Sequence, residues 1–414
     1  MGSNPPLPMD SPSKVSRPPL SERNLLFLLA AVQFTHIMDF VIMMPLGPQL
    51  MRELSLTAGQ YANVISTFAI TAGVVGLAAA PFIDRFDRRQ LLLFCYAGFV
   101  LGTLACGMST NAHMLLIARA VCGAFGGVSG ATVMAIVSDV VPPERRARGM
   151  GVIMTAFSAA SALGVPFGLK LAQWWKWEAP FLVTASAAAI VWVALYKVLP
   201  PVRSHLGENK PAMGKDFLAL LGSSNAWIGL SLMVIMIFGH FTIIPYLAPY
   251  LVSNVGMLEK NLFLVYLCGG AVTVFTGPLV GRLADKYGRF KVYVILVLCA
   301  SAVIRVITSA GPMPIWEVLI FSSLFFIFAS SRFIPAQAVI SLAVPRSQRG
   351  AYMSLVACSR DLASGVAAAL AGRIIIMDKA AGKMQHFDML GWLAIGVSIF
   401  SLWLFSKVRQ AEDS

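Results

Sequence analysis

Long apolar segments alternate with short polar loops along almost the whole chain. Each segment reaches the length of about 18–20 residues that crosses the hydrocarbon core of a bilayer. A segment in lipid must satisfy its backbone groups internally, so each one is predicted to be an α-helix. The twelve predicted helices cover about residues 24–50, 60–82, 90–109, 112–139, 148–171, 178–198, 224–252, 261–283, 290–310, 314–341, 350–376 and 386–407. The pattern predicts an all-α integral membrane protein.

One polar, basic loop occurs twice. Residues 281–291 read GRLADKYGRFK between the eighth and ninth predicted helices, and residues 80–89 read APFIDRFDRR between the second and third. The aspartates Asp84 and Asp285 are 201 positions apart, close to half of the 414 residues. The same offset aligns LGPQL at 46–50 with LAPYL at 247–251. The sequence therefore predicts two related halves of six helices each.

The second copy of the loop has two glycines, an aspartate and an arginine at fixed spacing: Gly281, Asp285, Gly288 and Arg289. These residues resemble the signature loop of the major facilitator superfamily, whereas the first copy has Ala80 and Asp87 where the family has glycines. The resemblance covers about residues 24–407. It implies the major facilitator fold, with twelve transmembrane helices in two pseudo-symmetric six-helix bundles and a ligand site near the midplane. In that family the first, second, fourth and fifth helices of each half line the cavity.

Composition agrees with a membrane protein and sets the domain boundaries. The chain is 57% apolar and 12% charged, whereas a soluble globular protein carries about 25% charged residues. Residues 1–22 are rich in Pro and Ser and are predicted to be a disordered tail. Residues 23–198 and 223–408 form the two predicted bundles, residues 199–222 the linker between them, and residues 409–414 a second tail.

The distribution of positive charge predicts the orientation. A net charge of +13 could indicate nucleic-acid binding in a soluble protein, but here the basic residues lie in short loops. With the N-terminus placed in the cytoplasm, 21 Lys and Arg residues fall on the cytoplasmic side and 5 on the far side. Cytoplasmic loops carry an excess of Lys and Arg. Both termini and the linker are therefore predicted to be cytoplasmic, in a bacterial inner membrane and with no nucleic-acid partner.

Ionisable residues inside the first and fourth helices are candidates for proton coupling, because such residues are costly in a membrane and indicate function. His36 and Asp39 lie three positions apart on one face of the first helix, and Arg119 lies on the fourth. An intramembrane carboxylate that gains and loses a proton suits a proton-coupled carrier. The alternative is a permanently paired structural aspartate.

Three glycines follow Arg119 on the same helix face: Gly123, Gly126 and Gly130. Glycines let a neighbouring helix approach closely, which would hold a partner near the guanidinium. The pattern LxxxRxxxG that ends at Gly123 resembles the fourth-helix motif of the superfamily, whose arginine is implicated in proton coupling. The alternative is an ion pair that only holds the fold.

The fifth helix carries Gly164, Pro166 and Gly168. They resemble the glycine–proline motif of the family's exporters, in the version with a valine before the proline that sugar-efflux and drug-efflux branches have. Proline frees a backbone carbonyl and permits a bend. The alternative is a kinked packing helix with no bearing on transport direction.

The second half has four ionisable residues deep in predicted helices: His240, Arg332, Arg360 and Asp361. At the offset of 201, His240 aligns with Asp39. The tenth and eleventh helices, which carry the others, are expected to line the cavity. Arginine suits bidentate recognition of carboxylate or phosphate, so the substrate is predicted to be anionic or zwitterionic. The alternatives are a packing histidine, an Arg360–Asp361 pair that satisfies other helices, and an Arg332 that reaches the cytoplasmic end.

The first copy of the loop is a candidate gate, together with the end of the fourth helix. Its members are Asp84, Arg85, Arg88 and Asp139. By the resemblance, Asp84 faces the start of the eleventh helix, where a helix N-terminus stabilises an acid, and Arg88 pairs with Asp139. Such a cluster would latch the cytoplasmic side in the outward-facing state. The second half has Leu342 near the position equivalent to Asp139, so its latch is expected to be incomplete.

No catalytic or nucleotide-binding motif accompanies these residues in the sequence. The chain is therefore interpreted as a non-enzyme without cofactor or metal that does not use ATP directly. The leading interpretation is a secondary active transporter that moves a small organic solute by alternating access, as proton-coupled efflux. An importer or facilitator of an organic anion is the first alternative, and a membrane sensor or polytopic enzyme the second. We expect a monomer in the bilayer, with protons and a small solute as its partners.

Overall fold

The computed structural model describes residues 21–83, 85–203, 220, 222–345, 348–378 and 381–411. In this part of the chain, twelve helical spans are long and apolar enough to cross a membrane. They confirm the predicted twelve-helix fold, with most ends within a few residues of the predicted ones. Residues 1–20 of the tail predicted over 1–22, and residues 204–219 in the middle of the linker, lie outside the described residues, whereas Ser21 and Glu22 already cap and begin the first helix.

The first half consists of six spans. In chain order they are Glu22–Ile42 followed by the short helix Gly47–Glu53, Ala58–Ile83, Arg88–Gly107, Ala112–Val140, Pro143–Ala159 joined through a π turn at Ala160–Gly164 to Val165–Trp174, and Ala179–Val198. Local caps fix several starts: the side chain of Ser21 accepts from the amide of Asn24, and that of Asn111 accepts from the amide of Met114. The π turn lies directly before Pro166, which has no amide hydrogen to continue the α-helical pattern.

The second half repeats this arrangement. Its spans are Ser224–Phe241 followed by Ile244–Ser253, Leu262–Tyr287, Arg289–Thr308, Ile315–Phe325 joined through a π turn at Phe326–Ser330 to Phe333–Ser341, Arg349–Ile374, and Phe387–Lys407. An antiparallel hairpin of β1 (Ile376–Asp378) and β2 (Lys383–Gln385) joins the last two spans. The side chain of Asn254 bonds both the amide and the carbonyl of Met384, which fixes this hairpin to the seventh span.

The first and seventh spans are both broken near one end of the molecule. Residues 43–46 form a turn after Ile42, and residues 242–243 separate the two parts of the seventh span. The single first helix predicted over 24–50 is wrong in this respect, because Pro45 cannot donate a helical hydrogen bond. The repeated segments at 46–50 and 247–251 pack against each other: a Cβ atom on Gly47 would lie 2.9 Å from Cγ of Pro249.

The end of the bundle that holds residues 22 and 407 is called the termini end here, and the opposite end the far end. At the far end, the Tyr61 hydroxyl lies 3.1 Å from the carbonyl oxygen of Pro245 in the other half. Arg52 also forms an ion pair with Glu259, whose carbonyl accepts from Gln173 Nε2 at 3.3 Å. These contacts close the far end between the two halves.

The second and eleventh spans meet along the interface between the halves, where glycines allow close approach. A Cβ atom on Gly372 would lie 2.2 Å from Cβ of Ala62, and one on Gly73 would lie 2.9 Å from the carbonyl oxygen of Cys358. On the outer surface, Phe94, Ile190 and Phe275 are 68%, 72% and 77% exposed. Such large exposed apolar side chains suit a surface covered by lipid.

Candidate functional site

A buried ion pair joins the first and fourth spans. Nη1 of Arg119 donates to Oδ2 of Asp39 at 2.7 Å and to the backbone oxygen of Asp39 at 3.3 Å. Both side chains are fully buried. The ring centroid of Phe68 lies 4.3 Å from Cζ of Arg119, which adds a cation–π contact. The structure thus brings together two of the three residues predicted for proton coupling.

This ion pair is only partly satisfied. Oδ1 of Asp39 and both Nε and Nη2 of Arg119 are buried with no described partner within 3.5 Å, although the Thr103 hydroxyl interacts with the Asp39 carboxylate from a longer distance. Buried polar atoms in a purely structural pair are normally bonded. The pair therefore has spare capacity: Asp39 can take a proton, and Arg119 can take a second anionic or polar partner.

His36 lies one helical turn before Asp39 and faces the same region. Its ring centroid lies 5.7 Å from that of Phe68 and 5.4 Å from that of Phe99. Both of its ring nitrogens are buried without a hydrogen-bond partner among the described residues. His36 therefore packs as an aromatic ring in this state, with two unused polar atoms.

The glycines of the fourth span make room for this cluster, as the sequence predicted. A Cβ atom on Gly126 would lie 2.5 Å from Nε2 of His36, and one on Gly123 would lie 2.2 Å from the carbonyl oxygen of Phe68. At Gly130 the nearest heavy atom, Oε1 of Gln33, would be 3.7 Å away. The close approach is therefore needed at Gly123 and Gly126, and Gly130 has ordinary space.

The fifth span packs its glycines against the first span beside Asp39. A Cβ atom on Gly164 would lie 2.8 Å from Sδ of Met38, and one on Gly168 would lie 2.8 Å from Cδ1 of Ile42. Pro166 is buried between them. Because π turns occur frequently at functional sites, the turn at Ala160–Gly164 agrees with a functional bend near the ion pair.

Arg360 and Asp361 form a pair on the eleventh span that is partly exposed. Nη2 and Nε of Arg360 each lie 3.1 Å from Oδ1 of Asp361. The side chain of Arg360 is 51% exposed. The eleventh span, which carries Arg360, lies at the interface between the halves.

Arg332, which is predicted to line the cavity together with Arg360, contacts the twelfth span inside the second bundle. It is fully buried, and its Nη1 donates to Oγ of Ser398 in the twelfth span at 2.6 Å. The π turn at Phe326–Ser330 inserts an extra residue before it and so rotates the helix face that follows. His240 lies on the same side, with its ring centroid 5.6 Å from that of Phe333.

Part of the predicted gate is present at the termini end. Nε of Arg88 donates to Oδ2 of Asp139 at 3.2 Å, as the resemblance implies. Arg85 is exposed, with its guanidinium carbon 5.3 Å from the ring centroid of Phe82. The predicted contact of Asp84 lies outside the described residues.

The second copy of the loop connects the eighth and ninth spans through Gly288. This residue has φ 94°, in the left-handed region that glycine tolerates at no steric cost, and Arg289 begins the next helix. Asp285 is exposed, and a Cβ atom on Gly281 would meet nothing within 4 Å. The loop geometry is thus explained by Gly288, while Gly281 and Asp285 have free space around them in this state.

Asp87 is a functional candidate that the sequence reasoning missed. Its carboxylate accepts from Arg203 Nε at 2.7 Å, Arg89 N at 2.9 Å and Val202 N at 3.2 Å. Burial by itself would raise the pKa of Asp87, but these hydrogen bonds, led by Arg203, hold the pKa below its ordinary value of 3.8. The residue that replaces a family glycine thus holds the start of the linker. Its position just before a helix could have indicated a cap, but not the partners 115 and 116 positions away.

Comparison with known sequences supports the fold and the broad function. A family model described as the Major Facilitator Superfamily matches residues 29–368 and 270–414. An uncharacterised MFS-type transporter of Bacillus subtilis, YceJ, is 22% identical over 388 residues, which cover 94% of this chain and 97% of that protein. A probable sugar efflux transporter of Helicobacter pylori is 26% identical over 243 residues, which cover 57% of this chain and 60% of that protein.

Solved structures show the same fold. The crystal structure of a D-xylose–proton symporter gives a TM-score of 0.73 at 16% identity and covers 94% of this chain and 99% of that one. A bacterial homologue of the human lysosomal transporter Spinster, in an inward-facing and unoccupied conformation, gives 0.72 at 16% identity, with coverage of 94% and 98%. At these identities the structures indicate fold alone.

Proposed function

Because the chain belongs to the Major Facilitator Superfamily and is therefore a membrane transporter, we propose that it exchanges protons for a small organic solute by alternating access. The observation that carries this proposal is the buried, partly satisfied ion pair of Asp39 and Arg119. In the proposal Asp39 is the proton site, and Arg119 is the partner whose state changes when the proton binds.

Protonation of Asp39 would remove the negative charge that Arg119 faces. A buried guanidinium that loses its partner is strongly destabilised. The described contacts of Arg119 are then the Phe68 ring, the backbone oxygen of Asp39 and an uncharged carboxyl oxygen, none of which carries negative charge. The protonated state therefore favours a rearrangement that rehydrates Arg119 or gives it another partner, and this preference is what a coupled carrier needs.

The first span provides a route from Asp39 to the contact between the halves. Its helix ends at Ile42, and the turn that follows presents the carbonyl oxygens of Met43 and Met44 to the Tyr61 hydroxyl at 3.4 Å and 2.9 Å. The same hydroxyl reaches Pro245 of the other half. A shift of the first span at Asp39 would change this far-end contact, which is the two-state element that coupling requires.

The proposed substrate is a small hydroxylated solute with an anionic group. Arg360 lies on the eleventh span at the interface between the halves, is partly exposed and suits a carboxylate or phosphate. The unpartnered atoms of His36 and of Gln33 Oε1 suit hydroxyl groups on the same molecule. The relative in Helicobacter pylori is named a probable sugar efflux transporter, which agrees with a hydroxylated solute and with efflux.

Efflux and a cytoplasmic position of both termini are part of the proposal. The fifth-span motif with Gly164, Pro166 and Gly168 supports efflux by its resemblance to exporters. The ratio of 21 to 5 basic residues supports the orientation. A membrane-impermeant thiol reagent added outside cells should label a cysteine placed at Lys383 and not one placed at Lys210. The reverse pattern would overturn the orientation.

Proton movement driven by solute gradients tests the function. Purified protein in liposomes with an internal pH-sensitive dye should move protons opposite to the solute when a sugar acid or other hydroxylated carboxylate is added on one side. Proton movement in the same direction as the solute would indicate an importer of the symport type. Solute flux with no proton movement would indicate a facilitator.

A further inference from the structure

Arg332 is a buried guanidinium for which the described residues provide no counter-charge. It is fully buried inside the second bundle. Its described hydrogen bond runs from Nη1 to Oγ of Ser398, a neutral group, at 2.6 Å. Nε and Nη2, which together carry three N–H donors, are buried without a partner.

Arg119 has the negatively charged partner that Arg332 lacks among the described residues. It is equally buried and leaves the same two nitrogens unpartnered, but Asp39 neutralises it at 2.7 Å. A buried charge is normally paired, because removing an isolated ion from water costs far more than burying a neutral polar group. Ordered water could satisfy the donors of Arg332 but would not neutralise its charge.

The hydroxyl groups near Arg332 already donate their protons to other hydrogen-bond acceptors. Ser398 donates its proton to the carbonyl of Ala394 at 2.6 Å and so only accepts from Arg332. Ser401 donates to the carbonyl of Ser398 at 2.5 Å, so the bond of 2.7 Å between Tyr293 and Ser401 uses the tyrosine proton. None of these groups can supply negative charge to the guanidinium.

A second unpartnered polar group lies beside Arg332. Nδ1 of His240 is buried without a hydrogen-bond partner. The Phe333 ring lies 5.6 Å from the His240 ring centroid and 5.9 Å from Cζ of Arg332. Phe325 stacks on His240 at 5.9 Å. Arg332 and His240 therefore both contact the Phe333 ring inside the second bundle, where burial leaves a charge interaction weakly screened.

We propose that Arg332 and His240, together with the wall formed by Phe325 and Phe333, bind one small inorganic anion of chloride size inside the second bundle. The guanidinium supplies the charge and up to three N–H donors, and His240 donates from Nδ1. Arg332 is fully buried, whereas Arg360, which is proposed to bind the substrate, is 51% exposed. The bound anion would hold the tenth span to the seventh and twelfth spans, and it does not depend on the proposed proton coupling.

Thermal unfolding in different anions tests this site. The full-length protein in detergent is titrated with chloride, bromide or nitrate against gluconate at constant ionic strength, because gluconate is too large to enter. A ligand that binds only the folded state raises the unfolding midpoint as its concentration passes its Kd. The wild-type protein is expected to show a saturable rise of several degrees with the small anions and no rise with gluconate.

Arg332→Met removes the charge while it keeps a long apolar side chain. It is expected to abolish the saturable response, and in gluconate it should unfold at or above the wild-type temperature, since the uncompensated charge is gone. Arg373→Met, which removes an exposed arginine in the last turn of the eleventh span, is the matched control and should keep the response. An identical response in Arg332→Met, or no response in the wild type, would overturn the proposal.

A second measurement covers the case in which Arg332→Met does not fold. Crystals of the wild-type protein grown in bromide should show an anomalous diffraction peak beside Nε and Nη2 of Arg332. The absence of a peak there at saturating bromide would contradict the anion site, and a peak only at Arg360 would assign the anion to the substrate region instead.

Discussion

The hydroxyl of Tyr61 lies within hydrogen-bonding distance of two broken helices at once: 2.9 Å from the carbonyl oxygen of Met44 and 3.1 Å from that of Pro245. Met44 belongs to the turn that breaks the first span, and Pro245 opens the second part of the seventh. Tyr61 is fully buried. One side chain thus connects the symmetry-related breaks of the two halves and closes the far end.

Tyr61→Phe should shift the protein toward a state with the far end open. The lost hydrogen bond is worth about 0.5–1.5 kcal/mol, which corresponds to a shift of about two- to tenfold in the populations. Distances between spin labels at Lys176 and Lys383, which are exposed at the far end of the two halves, report the shift.

Tyr246→Phe is the matched control for this experiment. The Tyr246 hydroxyl donates to the carbonyl of Ala368 inside the second half, so its removal should leave the distance between the halves unchanged. Equal distance distributions for wild type and Tyr61→Phe would show that Tyr61 does not set this equilibrium.

Asp87→Asn should loosen the start of the linker while it keeps a helix cap, because asparagine also caps helices well. The substitution weakens the charge-assisted hydrogen bond from Arg203. The Arg203 side chain is 63% exposed, so solvent partly screens this interaction. We expect the amide of Val202 to exchange about fivefold faster at pH 7, which corresponds to about 1 kcal/mol. Hydrogen exchange measured by mass spectrometry and corrected for intrinsic rates reports this change.

The effect of Asp87 should depend on pH in one direction. The folded-state pKa of Asp87 lies below its ordinary value of 3.8, so its contribution is fully present above that value and is lost as the pH falls through the folded-state pKa. Wild type and Asp87→Asn should therefore differ at pH 7 and converge below pH 3.8. A difference that persists in acid would mean that the charge of Asp87 is not its cause.

Gly123→Ala should disturb the region of the ion pair. Its Cβ atom would lie 2.2 Å from the backbone oxygen of Phe68, so the second span must move, and overpacking of this kind costs about 1–3 kcal/mol. We expect a lower unfolding temperature and reduced transport. Gly130→Ala is the control, because its Cβ atom would have ordinary space at 3.7 Å, and it should be neutral. Equal behaviour of the two variants would remove the packing explanation.

The sequence predicts the helices well because a long apolar segment in lipid must satisfy its backbone hydrogen bonds internally, and an α-helix does this. It predicts the pairing of Arg88 with Asp139 through the family resemblance, and the structure places those atoms 3.2 Å apart. The prolines that follow Ile42 could have predicted the break in the first span. The apolar residues continue past these prolines, however, and therefore indicated one unbroken helix.

Other features depend on contacts between distant parts of the chain. In the sequence, nothing distinguishes Tyr61 from the other positions of its apolar segment. Its contact with Pro245, 184 positions away, is visible only in the folded structure. The direction of Arg332 depends on a π turn, which inserts an extra residue and shifts the helix faces that follow. The hairpin at 376–385 has no alternation long enough to indicate strands; Asn254 fixes it from the seventh span.

Arg360→Gln should weaken binding of an anionic substrate more than binding of its neutral analogue. A hydrogen bond to a charged group is worth about 1.5–3 kcal/mol, or about tenfold or more in affinity, and the partial exposure of Arg360 places the expectation near the lower value. Binding measured by thermal stabilisation with a sugar acid and the parent sugar gives the comparison. Equal losses for both ligands would mean that Arg360 only positions the eleventh span.

The central claim is that Asp39 carries the transported proton, and Asp39→Asn tests it most directly. Asparagine resembles the protonated carboxyl but cannot release a proton. It also leaves Arg119 without a counter-charge, so a loss of about 3–5 kcal/mol in stability is expected, and folded protein must be confirmed first. Asp388→Asn, which alters an exposed acid at the start of the twelfth span, is the matched control and should keep proton-driven transport.

The measurement compares two transport modes of the same liposomes. One is solute movement driven by a pH gradient, and the other is solute exchange with no gradient. For Asp39→Asn we predict that gradient-driven movement falls at least about tenfold, the effect of about 1.4 kcal/mol on a rate, while exchange stays within a few fold of wild type. Gradient-driven transport by Asp39→Asn at the wild-type rate would contradict the account and show that Asp39 is structural.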